Sequence, residues 1–413
     1  MKFTLCAIGT RGDVVPLAAL GRELVAHGSD VLVAAPPEFA ADVAEAGLEF
    51  RPIAPMVMQL MEQSSSAMGS PARMNMIAAR WLDMDLHDDL EELFTIAQGS
   101  DALIATGLSY WPPHVAEVLG IEYRHLAFFP RMYPSSSHPA SSDPAGHRPK
   151  LVNTLEWWVT ERFYDRHLDR VINPWRRDHG LPPATAFYRR MVGLPGERLL
   201  AADEGLAPLP TDVERVTRVS PIRQLETGSL PQSVEDFLAA GDPPAFFGFG
   251  SMSSSDAGRL LEIALQTAAA LGVRMIVPAA WATAAARRVP QDCLAIDRVS
   301  HGLLFPHVAA VVHHGGAGTT TAAARAGVVQ VVIPHAFDQF YWANRVFELG
   351  IGPKPLSYKR LSSRTLTSAL SQALGSAAIA EGAETLAREL DGRDGAVELA
   401  TILHNRPSGA GAS

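Results

Sequence analysis

Cysteine is nearly absent: Cys6 and Cys293 are the only two in 413 residues. That excludes a disulfide scaffold and a cysteine-built zinc site, and it fits a reducing compartment, so a cytoplasmic location is expected. Positive charge is also short. Lys and Arg number 35 against 44 Asp and Glu, a net charge of -9, and the pI is near 5.9. No global basic field therefore exists to hold a nucleic-acid backbone or an anionic membrane, and anionic ligands must be caught locally. Nor is there an uninterrupted apolar run approaching the roughly 20 residues of a membrane helix. The first apolar run, Phe3 to Ile8, is broken by Gly9, Arg11, Gly12 and Asp13 and is too short for a signal-peptide core. With 47% hydrophobic and only 19% charged residues, the composition is that of a globular enzyme.

What the chain does have is rhythm. In the first half, strand candidates Phe3-Ile8, Val31-Ala35, Ala102-Ala105 and Tyr123-Ala127 alternate with amphipathic stretches such as Val14-His27. The second half repeats the pattern with Ala245-Phe249, Arg274-Pro278, Ala309-Val312 and Val328-Ile333, and with helices over Asp256-Leu271 and Ser363-Leu374. Strand, helix, strand at this spacing predicts an α/β protein with two Rossmann-like units built on parallel sheets. The expected division is an N-terminal domain over 1–215, a Pro- and Gly-rich linker over 216–240, a C-terminal domain over 241–405 and a disordered tail over 406–413.

The strongest local signal is His313-His314-Gly315-Gly316-Ala317-Gly318-Thr319-Thr320, after a strand candidate and before a helix. Glycines let backbone approach a ligand, and a helix start offers free N–H groups and the positive end of its dipole, which suits a diphosphate. Gly248-Phe249-Gly250-Ser251 is a second strand-then-glycine turn, of the kind that binds ligands at the carboxyl end of a parallel sheet. Gly9-Thr10-Arg11-Gly12-Asp13 is a third. It is not a dinucleotide fingerprint, and Asp13 would repel pyrophosphate. The carboxylate there either accepts a proton from a substrate hydroxyl or N-caps a helix beginning near Val14. Asp338-Gln339, ahead of Phe340-Tyr341-Trp342, either grips adjacent sugar hydroxyls or caps the next helix. Asp83-Met84-Asp85 has a metal-binding form but falls in an acidic stretch with Asp88, Asp89, Glu91 and Glu92, which reads as a solvated face. The histidines at 301, 307, 313, 314 and 335 lack metal-ligand spacing, so no metal is expected.

The Asp13 turn, the Gly250-Ser251 turn, the His314 turn and Asp338-Gln339, in that order, resemble the GT-B glycosyltransferases of family 1, above all the vancomycin-group antibiotic enzymes and the sterol glucosyltransferases. The resemblance implies two facing Rossmann-like domains, with the acceptor bound by the first and the nucleotide sugar by the second. It implies Asp13 as general base on the acceptor hydroxyl, and His314, Gly316, Gly318, Thr319, Thr320 and Ser251 around the donor diphosphate. Asp338 and Gln339 would hold the sugar, and the backbone at Arg298-Val299 the nucleobase. Inversion at the anomeric carbon without a metal or other cofactor is implied as well. Plant members carry a base-stacking tryptophan and a ribose-binding glutamate where this chain has Ile296 and Ala322, which leans towards a deoxyribose donor, a dTDP-sugar, beside UDP-glucose. Met56, Met58, Met61, Met68, Met74 and Met76 supply adaptable apolar surface for a lipophilic hydroxylated acceptor. Two rivals remain: a nicotinamide oxidoreductase, which the missing third glycine argues against, and a catalytically silent helper subunit, which Asp13 argues against.

Overall fold

The computed structural model describes residues 1–54, 87–140, 148–194, 196–223, 228–249, 256–390 and 392–405. The chain divides into two compact units. The first holds the described residues up to Arg223 and takes in the chain again from Arg393; the second runs from residue 228 to Gly392.

The first unit is built on seven parallel strands: β1 (Lys2–Ile8), β2 (Asp30–Ala35), β3 (Glu49–Pro52), β4 (Ala102–Gly107), β5 (Glu122–Ala127), β6 (Arg198–Ala201) and β7 (Val216–Val219). Their order in the sheet is β3-β2-β1-β4-β5-β6-β7. Strands covered on both faces read as continuous apolar runs, and Leu5, Cys6, Ala7, Val33, Ile104 and Ala105 are all fully buried. The order reverses between β1 and β4, whose last residues pair as Ile8 with Gly107. That reversal opens a crevice at the carboxyl ends of the two strands, where α/β sheets take their ligands.

The second unit repeats the arrangement on five parallel strands: β8 (Ala245–Gly248), β9 (Met275–Pro278), β10 (Cys293–Ile296), β11 (Ala310–His313) and β12 (Val329–Val332), in the order β10-β9-β8-β11-β12. Here the reversal lies between β8 and β11, with Gly248 paired to His313. Phe247, Ile276, Val277, Val311, Val312 and Val331 form the buried rows. Among the described residues no helix is long and apolar enough to cross a membrane. Both cysteines are buried and free.

The expected linker over 216–240 is not one. Val216–Val219 is β7, hydrogen-bonded to β6, and Gln232–Ala239 is a helix whose Val234 packs into the apolar cluster of the second unit. A four-residue strand and an eight-residue helix among prolines and glycines leave too short a period to read. The expected C-terminal domain over 241–405 also loses its end: the helix Gly395–His404 packs in the first unit, where Glu398 accepts from Ser220 N at 2.9 Å and Ser220 Oγ at 3.2 Å. The tail over 406–413, Asp83, Asp85 and the six methionines between Met56 and Met76 lie outside the described residues.

Candidate active site

In the first unit the helix Arg11–Ala26 starts three residues before the expected Val14. Thr10, not Asp13, is its N-cap, and Asp13 is the third helical residue of a reciprocal capping box. Asp13 Oδ2 accepts from Thr10 N at 2.8 Å and from Thr10 Oγ1 at 3.3 Å. Capping and a chemical role are thus compatible, because the cap occupies one carboxylate oxygen. The group is pressed against two glycines. A Cβ on Gly9 would stand 2.2 Å from Oδ2, and one on Gly107 would stand 3.4 Å from Oδ1 and 2.5 Å from Ile8 O. Gly107 also has φ +71°, a conformation that side-chain-bearing residues rarely adopt. It is held in place by His125, whose Nε2 lies 3.2 Å from the Gly107 carbonyl. Since a carbonyl only accepts, that nitrogen carries the proton; burial keeps the ring neutral, with its pKa lowered to about 4. Loss of hydration raises the Asp13 carboxyl to about 6, although the Thr10 hydrogen bonds pull the other way. The first unit therefore sets a carboxylate of raised basicity at its crevice.

In the second unit the glycine turn follows β11. His313 points into the sheet: Gly315 N donates to its Nδ1 at 3.1 Å, so Nε2 carries the proton and donates to Gln330 Oε1 at 2.9 Å. Burial first, and the neighbouring His314 second, hold it neutral, at about 3. His313 is thus a structural pin. Gly315, at φ +91°, has no room for a side chain, since a Cβ would meet Val332 Cγ1 at 2.8 Å and Gln339 O at 3.0 Å. Gly316 has a different reason. A Cβ there would stand 2.7 Å from His314 Nε2, so its absence lets the half-buried His314 ring lie over the turn. Burial lowers the His314 pKa to about 4, against a hydrogen bond to the Gly248 backbone, so the ring is neutral at pH 7.

Gly316 is also the N-cap of the helix Ala317–Arg325 and supplies no side-chain cap to the first-turn amides, which are left to face an anion. Gly318 is exposed, so its backbone is open to a ligand. The hydroxyl of Thr320 is not available as expected: it is buried and donates to Gly316 O at 2.9 Å, bracing the turn. Thr319 is nearly buried, at 9% exposure.

The remaining candidates fall unevenly. Asp338 opens the helix Gln339–Glu348 but makes no side-chain cap; its Oδ2 accepts from Trp342 Nε1 at 3.1 Å. Phe337 before it is held at φ +52°, a costly conformation for an aromatic residue of the kind that recurs where a neighbour must be aimed. Gln339 is buried, and its Oε1 accepts from His335 N at 2.8 Å and Ala336 N at 3.1 Å, so its carbonyl end ties down the loop and cannot grip a hydroxyl. Arg298 and Val299 follow β10; Arg298 is exposed, while Val299 packs on the apolar cluster that includes Ile296, which leaves the backbone to present polar groups. Ser251 and Gly250 lie outside the described residues. No group of histidine, cysteine, aspartate and glutamate side chains suited to a metal occurs among the described residues. Sequence reading missed Thr10, Gly107 and Gln330. Thr10 was within reach, because Thr-x-x-Asp before an apolar helix is a capping-box pattern.

Comparison with known proteins supplies the context for both turns. Residues 3–135 match the glycosyltransferase family 28 N-terminal domain, and residues 262–405 match the erythromycin biosynthesis protein CIII-like C-terminal domain. The vancomycin aglycone glucosyltransferase of Amycolatopsis orientalis is 33% identical over 361 residues, covering 85% of each chain. A sterol 3-beta-glucosyltransferase of Arabidopsis thaliana is 29% identical over 429 residues, covering 98% of this chain and 68% of its own. Among solved structures, the glycosyltransferase VinC in complex with dTDP superposes with a TM-score of 0.71 at 18% identity, covering 98% of this chain and all of the other, which shows the shared GT-B fold.

Proposed function

Because the chain belongs to the glycosyltransferases that join a family 28 N-terminal domain to an erythromycin CIII-like C-terminal domain, we propose that it moves a hexose or deoxyhexose from a dTDP- or UDP-sugar to a hydroxyl of a lipophilic natural product of the antibiotic-aglycone kind. The observation that carries this reading is the Asp13 carboxylate, raised to about 6 and set between Gly9 and Gly107 at the crevice of the first sheet. A base of that strength takes the proton of an acceptor hydroxyl near neutral pH.

The hydroxyl oxygen then forms a bond to the anomeric carbon as the bond from that carbon to the diphosphate breaks, and the configuration inverts. The acceptor's proton ends on Asp13 and the electron pair leaves with the nucleoside diphosphate. Its charge is met by the first-turn amides of Ala317–Arg325 and by an N–H of His314, so the reaction as proposed requires no metal. Ser251, Gly316, Gly318 and Thr319 complete the diphosphate site, Asp338 holds the sugar, and the backbone at Arg298 and Val299 holds the base. Ala322, packed on the apolar cluster, offers the ribose no polar partner, which favours dTDP. Two buried free thiols suit action in the reducing cytoplasm.

The test is incubation of the protein with dTDP-glucose or UDP-glucose and a panel of polycyclic aglycones and sterols, reading nucleoside diphosphate release and product mass. Transfer to an aglycone, lost in Asp13→Asn, is the expected result. Transfer to sterols alone would replace the acceptor class. Nucleotide binding with no transfer to any acceptor would overturn the reading in favour of a helper subunit.

A further inference from the structure

His335 is fully buried, yet among the described residues neither of its ring nitrogens has a hydrogen-bond partner. It stands just past the carboxyl end of β12, one strand from the glycine turn, and the two strand ends are tied by Ile333 N donating to His313 O at 2.9 Å. Its ring centre lies 4.2 Å from that of Tyr358, 5.4 Å from Phe249 and 6.3 Å from His314. The Tyr358 hydroxyl donates to Asp256 Oδ2 at 2.5 Å. A neutral imidazole carries one N–H and one lone pair, and leaving both buried and unpaired costs stability that a phenyl ring in the same aromatic surroundings would avoid.

A second feature points to the same place. The helix Ala317–Arg325 begins with no side-chain cap, beside His314. We infer that His335 is a second imidazole of the donor site, turning to donate a hydrogen bond to the diphosphate of the bound nucleotide sugar alongside His314. The inference rests on the donor reading proposed above. The spacing allows it: a ring nitrogen lies about 1 Å from its ring centre and donates over about 2.9 Å, so one oxygen shared by rings 6.3 Å apart sits at a near-tetrahedral angle. Turning the ring breaks no hydrogen bond to any described residue, and the ligand supplies the partner it lacks.

Titration calorimetry of dTDP and UDP into the wild type, His335→Phe and His335→Gln, with melting temperatures of the free proteins, tests this. The phenyl ring removes the donor and keeps the packing, so His335→Phe should bind the preferred diphosphate about tenfold more weakly while melting no lower than wild type. His335→Gln keeps an N–H and should stay within about threefold of wild type. If the phenylalanine variant fails to fold, His335→Leu takes its place. Wild-type affinity in the apolar variant would overturn the role of His335 and leave the donor reading intact, whereas a wild type that binds neither nucleotide would overturn both.

Discussion

Asp13 carries two duties on one carboxylate, and its titration separates them. One oxygen serves the capping box with Thr10, while the group as a whole is raised to about 6 by burial. Transfer should therefore fall as the pH drops through about 6, where the base becomes protonated, and kcat/KM against pH should show that limb. Asp13→Asn should lose about 10²–10⁴-fold in turnover. Stability should move the opposite way. The folded value of about 6 lies above the unfolded value of about 3.9, so ionising Asp13 costs the wild type stability as the pH rises from about 4 to 6. An asparagine still accepts from Thr10 N and escapes that cost, so the variant should melt at or above the wild-type temperature at pH 7. A thermal melt at pH 4 and pH 7 checks the sign. Asp13 and the glycine turn were legible in the sequence because their chemistry sits on backbone features that glycine and a carboxylate announce. The Thr320 hydroxyl and the Gln339 carbonyl were not, since the direction of a short side chain is decided by the helix start or loop that it braces.

Among the elements, β1, β2, β4 and β5 and the four-residue β8, β9, β11 and β12 were readable from their apolar runs, and β3, β6, β7 and β10 were not. β1, β2, β4 and β5 run six to seven residues through a buried sheet and match their apolar runs closely. β3 reads Glu-Phe-Arg-Pro, an edge strand with no buried residue, and β7 has one buried residue of four; neither shows a pattern that distinguishes it from a loop. The closing helix Gly395–His404 was assigned to the wrong unit for a different reason, since amphipathicity tells that a face is buried and not against what. Its docking is tight. A Cβ on Gly395 would stand 1.7 Å from Ser220 O, so Gly395→Ala should destabilise the first unit by about 1–3 kcal/mol in a urea titration. At the ends of β11 and β12, His313, His314 and His335 are all held neutral by burial, at about 3, 4 and 3. Unfolded histidines titrate near 6.5, so the unfolded chain gains protons there first, and stability is lost as the pH falls below about 6.5 towards 3. Urea midpoints of the second unit should decline over that window, and His313→Gln should flatten the decline.

At the scale of the whole molecule, the sequence rhythm predicted two Rossmann-like units, and two are present, each with its own parallel sheet and its own reversal point. Each has its own buried core, and a ligand that binds the folded form of a unit stabilises that unit. The proposed donor contacts described here, at the His314 turn, Asp338 and the Arg298-Val299 backbone, all belong to residues 228–392. A nucleotide at about 100 times its Kd adds roughly 2.7 kcal/mol to the form that binds it. A calorimetric scan should accordingly resolve two transitions, of which dTDP raises one and leaves the other in place. Hydrogen exchange should assign the raised transition to β8–β12 and the unmoved one to the sheet that carries Asp13. If dTDP raised the Asp13 unit instead, the glycine turn at His314 would not be the donor site; if it raised both equally, the two units would unfold as one.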